Sequence, residues 1–139
     1  MGRGAVTRVA LLDTSALIGA VDSETVEALP YDRLLISALT YAELRLGLVT
    51  AADTGTLRHR VRRIDEISRA FGSGVPFDDA CAREYERIVQ AAVERGQRPR
   101  ANTVDRMIAA TAAAHHLPLI TRNAADVRGL DEILEIVSL

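Results

Sequence analysis

The sequence predicts an α/β domain: a central, mainly parallel sheet of four to five short strands with helices on both faces. Three observations carry this reading. Short apolar runs alternate along the chain with longer segments of helical periodicity. Strands separated by helices form βαβ units, whose crossovers cover both faces of a sheet. The chain has 139 residues, 48% of them hydrophobic and 26% charged, which suits one ordinary domain with a proper core.

The elements follow in order. Residues 8–13, built on Val9-Ala10-Leu11-Leu12, read as a buried strand, and 14–21 as a helix. Residues 22–30 read as a helical turn or connection, and 34–37 as a second strand. A helix over 39–52 has apolar residues at Leu39, Ala42, Leu46 and Val49. A further helix over 54–71 aligns Leu57, Val61, Ile64, Ile67 and Phe71. Gly72-Ser73-Gly74 breaks it before a brief strand at 75–77. Asp78 or Asp79 caps a long helix ending at Gly96, and Asn102 caps another that runs to His115 or His116. Strands at 117–121 and 133–137 complete the sheet. No repeat, low-complexity tract or domain boundary interrupts this pattern, so residues 1–139 form a single domain.

Composition narrows the function. No apolar run approaches the ~18 residues of a membrane span. Asp13 interrupts the apolar run behind the basic N-terminus, which argues against a secretory signal. The one cysteine, Cys81, excludes an intramolecular disulfide and fits a reducing, cytoplasmic setting. It shares a helical stripe with Tyr85, Ile88, Val89 and Ala92, so it reads as core packing rather than as a nucleophile. All 17 basic side chains are arginine, the side chain that grips phosphate through two parallel hydrogen bonds. Arg58, His59, Arg60, Arg62 and Arg63 are the densest basic cluster, readable either as a solvated helix face or as a phosphate-tracking surface.

Four acids stand out: Asp13, Glu43, Asp105 and Asp126. Each lies at or near the end of an ordered apolar segment. In open α/β sheets the ligand crevice lies beyond the carboxyl ends of the strands, and all four can reach that rim. Each also has a plainer explanation. Asp105 can favour a helix N-terminus, Glu43 can sit on a solvated face, and Asp13 and Asp126 can be turn or loop residues. Asp78 and Asp79 read as caps, and Asp65, Glu66, Glu84 and Glu86 as solvated helix positions. Two carboxylates ~4 Å apart repel by about 4 kcal/mol at an effective dielectric of 20, so a cluster requires a cation. Oxygen ligands select hard ions such as Mg²⁺ or Mn²⁺. His115 and His116 are adjacent and His59 stands alone, which offers no zinc grouping. A hard ion held this way can supply a water nucleophile and neutralise phosphate charge.

Four segments together, Leu11-Leu12-Asp13-Thr14-Ser15, Ser37 through Gly47, Asp105 through Ala112, and Leu119 through Asp126, resemble the PIN-domain family, and within it most closely the VapC-type toxins. The resemblance covers nearly the whole chain in the family's order. It implies a parallel sheet, Mg²⁺- or Mn²⁺-dependent endoribonuclease activity on RNA, and a small antitoxin protein that blocks the site. By position, Asp13, Glu43, Asp105 and Asp126 match the family's catalytic, metal-binding acids. Thr14 or Ser15 matches its small hydroxyl residue, and Asn123 a polar residue near the last acid. Val127 departs from the family, which often has an aromatic residue there. Residues 1–7 precede the family's usual start and read as a loose N-terminal extension. The resemblance also implies a toxin homodimer. The arginines Arg58, Arg60, Arg62, Arg63 and Arg122 are candidates for RNA or partner contact. Apolar residues of the helices over 39–49 and 57–71 are candidates for an antitoxin groove, although most of them should be core.

Other classes fit less well. A phosphate-accepting receiver domain needs a lysine late in the chain, and the sequence has none. A haloacid-type phosphatase needs an aspartate two residues after the first, where Ser15 stands. A catalytically silent module that binds RNA or a partner remains the alternative, separable by a metal-dependent cleavage assay.

Overall fold

Strand β1 (Val9–Leu12) lies inside the sheet and organises both cores. The computed structural model describes residues 7–22 and 29–139. β1 pairs in parallel with β2 (Arg33–Ile36) on one side and with β3 (Leu119–Thr121) on the other, and β3 pairs with β4 (Ile136–Ser138). The order β2-β1-β3-β4 places a topological switch between β1 and β3. Successive side chains of a strand face opposite ways. Leu11 and Leu119 therefore enter one core with Ile88, Ile108 and Ala109, while Ala10, Leu12 and Ile120 enter the other with Leu17, Ile36 and Ile67.

The helices flank these cores. Helix α1 (Thr14–Asp22) leaves β1 directly, and α2 (Ala38–Val49) begins at Ser37, whose hydroxyl accepts the Leu39 N–H. Helix α3 (Thr54–Phe71) starts at Asp53, whose carboxylate accepts the Thr56 N–H at 2.7 Å. Helix α4 (Asp79–Glu94) starts at Asp78, and α5 (Thr103–Ala114) packs alanines into the core beside it. The stripe of Cys81, Ile88 and Ala92 on α4 is buried as expected. Among the described residues no helix is long and apolar enough to cross a membrane.

Several expectations need correction. Leu46 and Val49 of α2 are 63% and 84% exposed, and Leu57 and Val61 of α3 are also exposed. The buried part of the α3 stripe is Ile64 and Ile67, because only the second half of that helix lies over the sheet-side core. Residues 75–77 are not a strand; Val75 forms an isolated parallel bridge to Ser37. Gly74 makes this approach feasible, since a Cβ there would lie 2.5 Å from the backbone nitrogen of Ala38. Asn102 occupies the cap position of α5, but its left-handed conformation leaves its side chain without a capping bond. The last strand is shifted to 136–138, and Leu130 and Leu134 enter the core from the irregular segment before it. The expected extension over 1–7 lies outside the described residues apart from Thr7, as does most of the expected turn at 22–30.

Candidate active site at the carboxyl edge of the sheet

Asp13 follows the last residue of β1, so backbone pairing holds it at the carboxyl edge: its N–H donates to the Ile120 carbonyl at 3.0 Å. Its side chain is buried, with 5% exposure. The Oδ1 atom accepts the Ala16 N–H at 2.8 Å and the Ser15 hydroxyl at 2.7 Å. Asp13 thus caps α1, and both bonds use one oxygen, which leaves Oδ2 for another partner. Ser15 extends the network across the switch point. Its oxygen accepts the Arg122 N–H at 3.1 Å and lies 3.5 Å from the Thr121 hydroxyl.

Glu43 approaches from α2. It accepts the Thr14 hydroxyl at 2.6 Å, and Thr14 lies 3.1 Å from the hydroxyl of Thr40, one turn earlier on α2. Thr14 thus holds Glu43, and Ser15 holds Asp13. Asp126 lies in a short 3₁₀ turn, Ala124–Val127, after β3. Its N–H donates to the Asn123 carbonyl at 2.9 Å, while the Asn123 N–H donates to the Thr121 hydroxyl at 3.0 Å. Asn123 contributes here through its backbone, and its side chain makes no cap bond. Val127 is buried in the core beneath this turn.

Asp105, in the first turn of α5, reports on all four acids. Burial pushes its carboxyl above the ordinary 3.8, and the charges of Asp126, Glu43 and Asp13 push it further the same way. The acids expected from the sequence therefore share one electrostatic field. The oxygen-only donor set, with its mutual repulsion, fits a hard divalent cation.

The arginine cluster divides. Arg60 donates to the Gly47 carbonyl and, with Arg63, lines a cleft of about 200 Å³ together with Ile18, Glu43, Leu44 and Ile64. Arg58 and Arg62 are exposed beside Leu57 and Val61 on a different part of α3. Arg122 lies across α1; a Cβ on Gly19 would meet its guanidinium.

Three features were missed in the sequence. Thr40 is fully buried and joins the Thr14–Glu43 contact; a polar residue one turn before Glu43 was the available signal. Arg106 is 1% exposed and binds the Arg98 and Pro99 carbonyls and the Gln97 side chain, which fixes the loop before Asp105. The absence of a zinc grouping is also corrected. Asp78, Cys81 and His115 converge, because the start of α4 meets the end of α5, a contact that local spacing does not reveal.

Known proteins share this architecture. The PIN domain family model matches residues 10–130. Ribonuclease VapC5 of Mycobacterium tuberculosis is 36% identical over 114 residues, 81% of this chain and 82% of that protein. The crystal structure of VapBC-5, a member of the VapBC family of toxin–antitoxin systems from M. tuberculosis, superposes with a TM-score of 0.76 and 33% identity, covering 94% of this chain and 98% of that one. FitAcB from Neisseria gonorrhoeae superposes with a TM-score of 0.75 and 27% identity, covering 93% and 96%. With its fold and most of its length matched to these proteins, this chain belongs to the PIN-domain family.

Proposed function

We propose that the chain is a metal-dependent endoribonuclease and the toxin of a toxin–antitoxin pair. What supports this reading is the raised carboxyl of Asp105, pushed up by burial and then by the charges of Asp126, Glu43 and Asp13. The names of the similar proteins, a ribonuclease and a toxin–antitoxin complex, support it.

In this reading the four acids hold Mg²⁺ or Mn²⁺. The ion, when bound, supplies activation of water and neutralisation of charge on the scissile phosphate. The remaining work belongs to the chain. Ser15 fixes one oxygen of Asp13, and Thr14 fixes Glu43, so the acids are aimed before substrate arrives. The backbone of Asn123 sets the turn that carries Asp126. Arg58 and Arg62 of α3, and Arg122, are the candidates for contact with RNA phosphates outside the acidic pocket. An RNA substrate fits a cytoplasmic location.

The cleft lined by Glu43, Leu44 and Ile64 suits an antitoxin segment that presents an arginine to the acids and apolar side chains to α2 and α3. The exposed Leu46, Val49, Leu57 and Val61 extend the apolar surface available for the partner or a second toxin copy. The test is cleavage of single-stranded RNA by the purified protein. Activity should require Mg²⁺ or Mn²⁺ and fall by orders of magnitude in Asp13→Asn and Asp105→Asn. Undiminished cleavage in excess chelator, or by both variants, overturns the reading.

A further inference from the structure

A second group of potential ligands lies away from the acidic edge. Asp78, Cys81 and His115 place a carboxylate oxygen, a sulfur and an imidazole nitrogen all within 4.8 Å of one another, the one such group of three among the described residues. Local structure puts them there. Asp78 caps α4 and accepts the Cys81 N–H at 3.1 Å, which sets both residues at the same end of the helix. His115 follows the last residue of α5 and lies at that same end of the helix pair, where the C-terminus of α5 meets the start of α4. Asp78 and His115 are exposed, whereas Cys81 is fully buried. The Cys81 sulfur makes a long contact to the Pro76 carbonyl, 3.7 Å away, and also interacts with the Asp78 and Thr111 side chains.

We propose that Asp78, Cys81 and His115 form a Zn²⁺ site, with water as the fourth ligand. Mixed sulfur, nitrogen and oxygen donors suit zinc, whereas a thiolate disfavours Mg²⁺. Tetrahedral zinc holds its donors roughly 3.3–3.8 Å apart. The donors lie at most 4.8 Å apart, so binding would require the side chains to rotate inward to that range. Binding replaces the thiol proton with the metal, and the proton passes to solvent. His115 follows Asp105 by ten positions along α5, about 15 Å at the helical rise, so the two sites are separate. Zinc would clamp α4 to the helix that carries Asp105 at its other end. This assignment is independent of the nuclease reading.

Co²⁺ provides the probe, added to the full-length protein with excess Mg²⁺ present. The expected result is one tightly bound Co²⁺ with tetrahedral visible bands and a near-ultraviolet thiolate-to-cobalt absorption, both removed by stoichiometric Zn²⁺. The thiolate absorption should vanish in Cys81→Ser. His115→Ala and Asp78→Asn, at exposed positions, should weaken it and lose the rise in melting temperature that Zn²⁺ gives the wild type. Co²⁺ binding without the thiolate absorption overturns the proposal, as does an unchanged absorption in both His115→Ala and Asp78→Asn. Either result leaves Cys81 as core packing and His115 as a charge partner of Asp78.

Discussion

Thr14 donates its hydroxyl to Glu43 across 2.6 Å and thereby ties the first turn of α1 to α2. The two residues come from different βα units, and each is placed by a strand end nearby. Removing this bond frees Glu43 without removing its charge. Thr14→Val, close in shape, should lower RNA cleavage by roughly 10–100-fold, the usual effect of losing a partner to a metal-binding side chain. Folding stability should change by no more than about 1.5 kcal/mol. Cleavage rates and urea unfolding of the same preparation check both numbers.

The raised carboxyl of Asp105 makes a prediction with a definite sign. In the metal-free protein the folded state holds this proton more tightly than the unfolded chain does. Ionisation therefore weakens folding at neutral pH, and the penalty fades as the pH falls through the raised value towards the ordinary 3.8. Asp105→Asn should be more stable than wild type at neutral pH in chelator, with the difference shrinking on acidification. Divalent metal should stabilise wild type and do much less for the variant. Thermal melts across this pH range, with and without metal, measure both effects.

Partner binding should separate from catalysis. Leu46 and Val49 are 63% and 84% exposed on α2, one and two turns beyond Glu43. If the chain is the toxin of such a pair, Leu46→Asp with Val49→Asp should abolish co-purification with a co-expressed cognate antitoxin, while cleavage by the free protein persists. Retained co-purification would locate the partner elsewhere.

Arg58 and Arg62 offer a test of RNA contact that avoids the cleft. Changing both to glutamine should weaken RNA binding and flatten its salt dependence, by roughly 0.7 in slope for each phosphate no longer neutralised. An unchanged slope assigns these side chains to solvent alone.

Arg106 gives a prediction about stability. Its buried guanidinium serves three acceptors in the loop at 97–99. Arg106→Ala should destabilise the fold by about 3 kcal/mol, since those acceptors lose a charged donor. The shift in urea midpoint measures it.

The main outline was legible because each strand is a short apolar run and each acid sits beside one. Val9–Leu12 ends directly at Asp13, and the pattern needs no tertiary knowledge. The whole of α3 was legible because its limits are local, an Asp53 cap and a Gly72 stop. What lay beyond reach depended on which surfaces meet. Periodicity marks an apolar face on α2 but says nothing of what covers it, so Leu46 and Val49 read as interior although they are exposed. Thr40, Arg106 and the meeting of Cys81 with His115 each require partners distant in sequence. The strand expected at 75–77 failed because its backbone pairs at a single position.

The alternation of β1 has a consequence for how this protein can change. Leu11 faces one core, Ala10 and Leu12 the other, and Asp13 comes next in the same register. Inserting or deleting one residue in this strand would exchange the two sets of side chains and rotate Asp13 off the rim. Length variation here is therefore forbidden twice over, by folding and by chemistry. The loop at 97–101, on the flank of the domain, faces no such parity, and new segments can enter there as long as Arg106 keeps its acceptors.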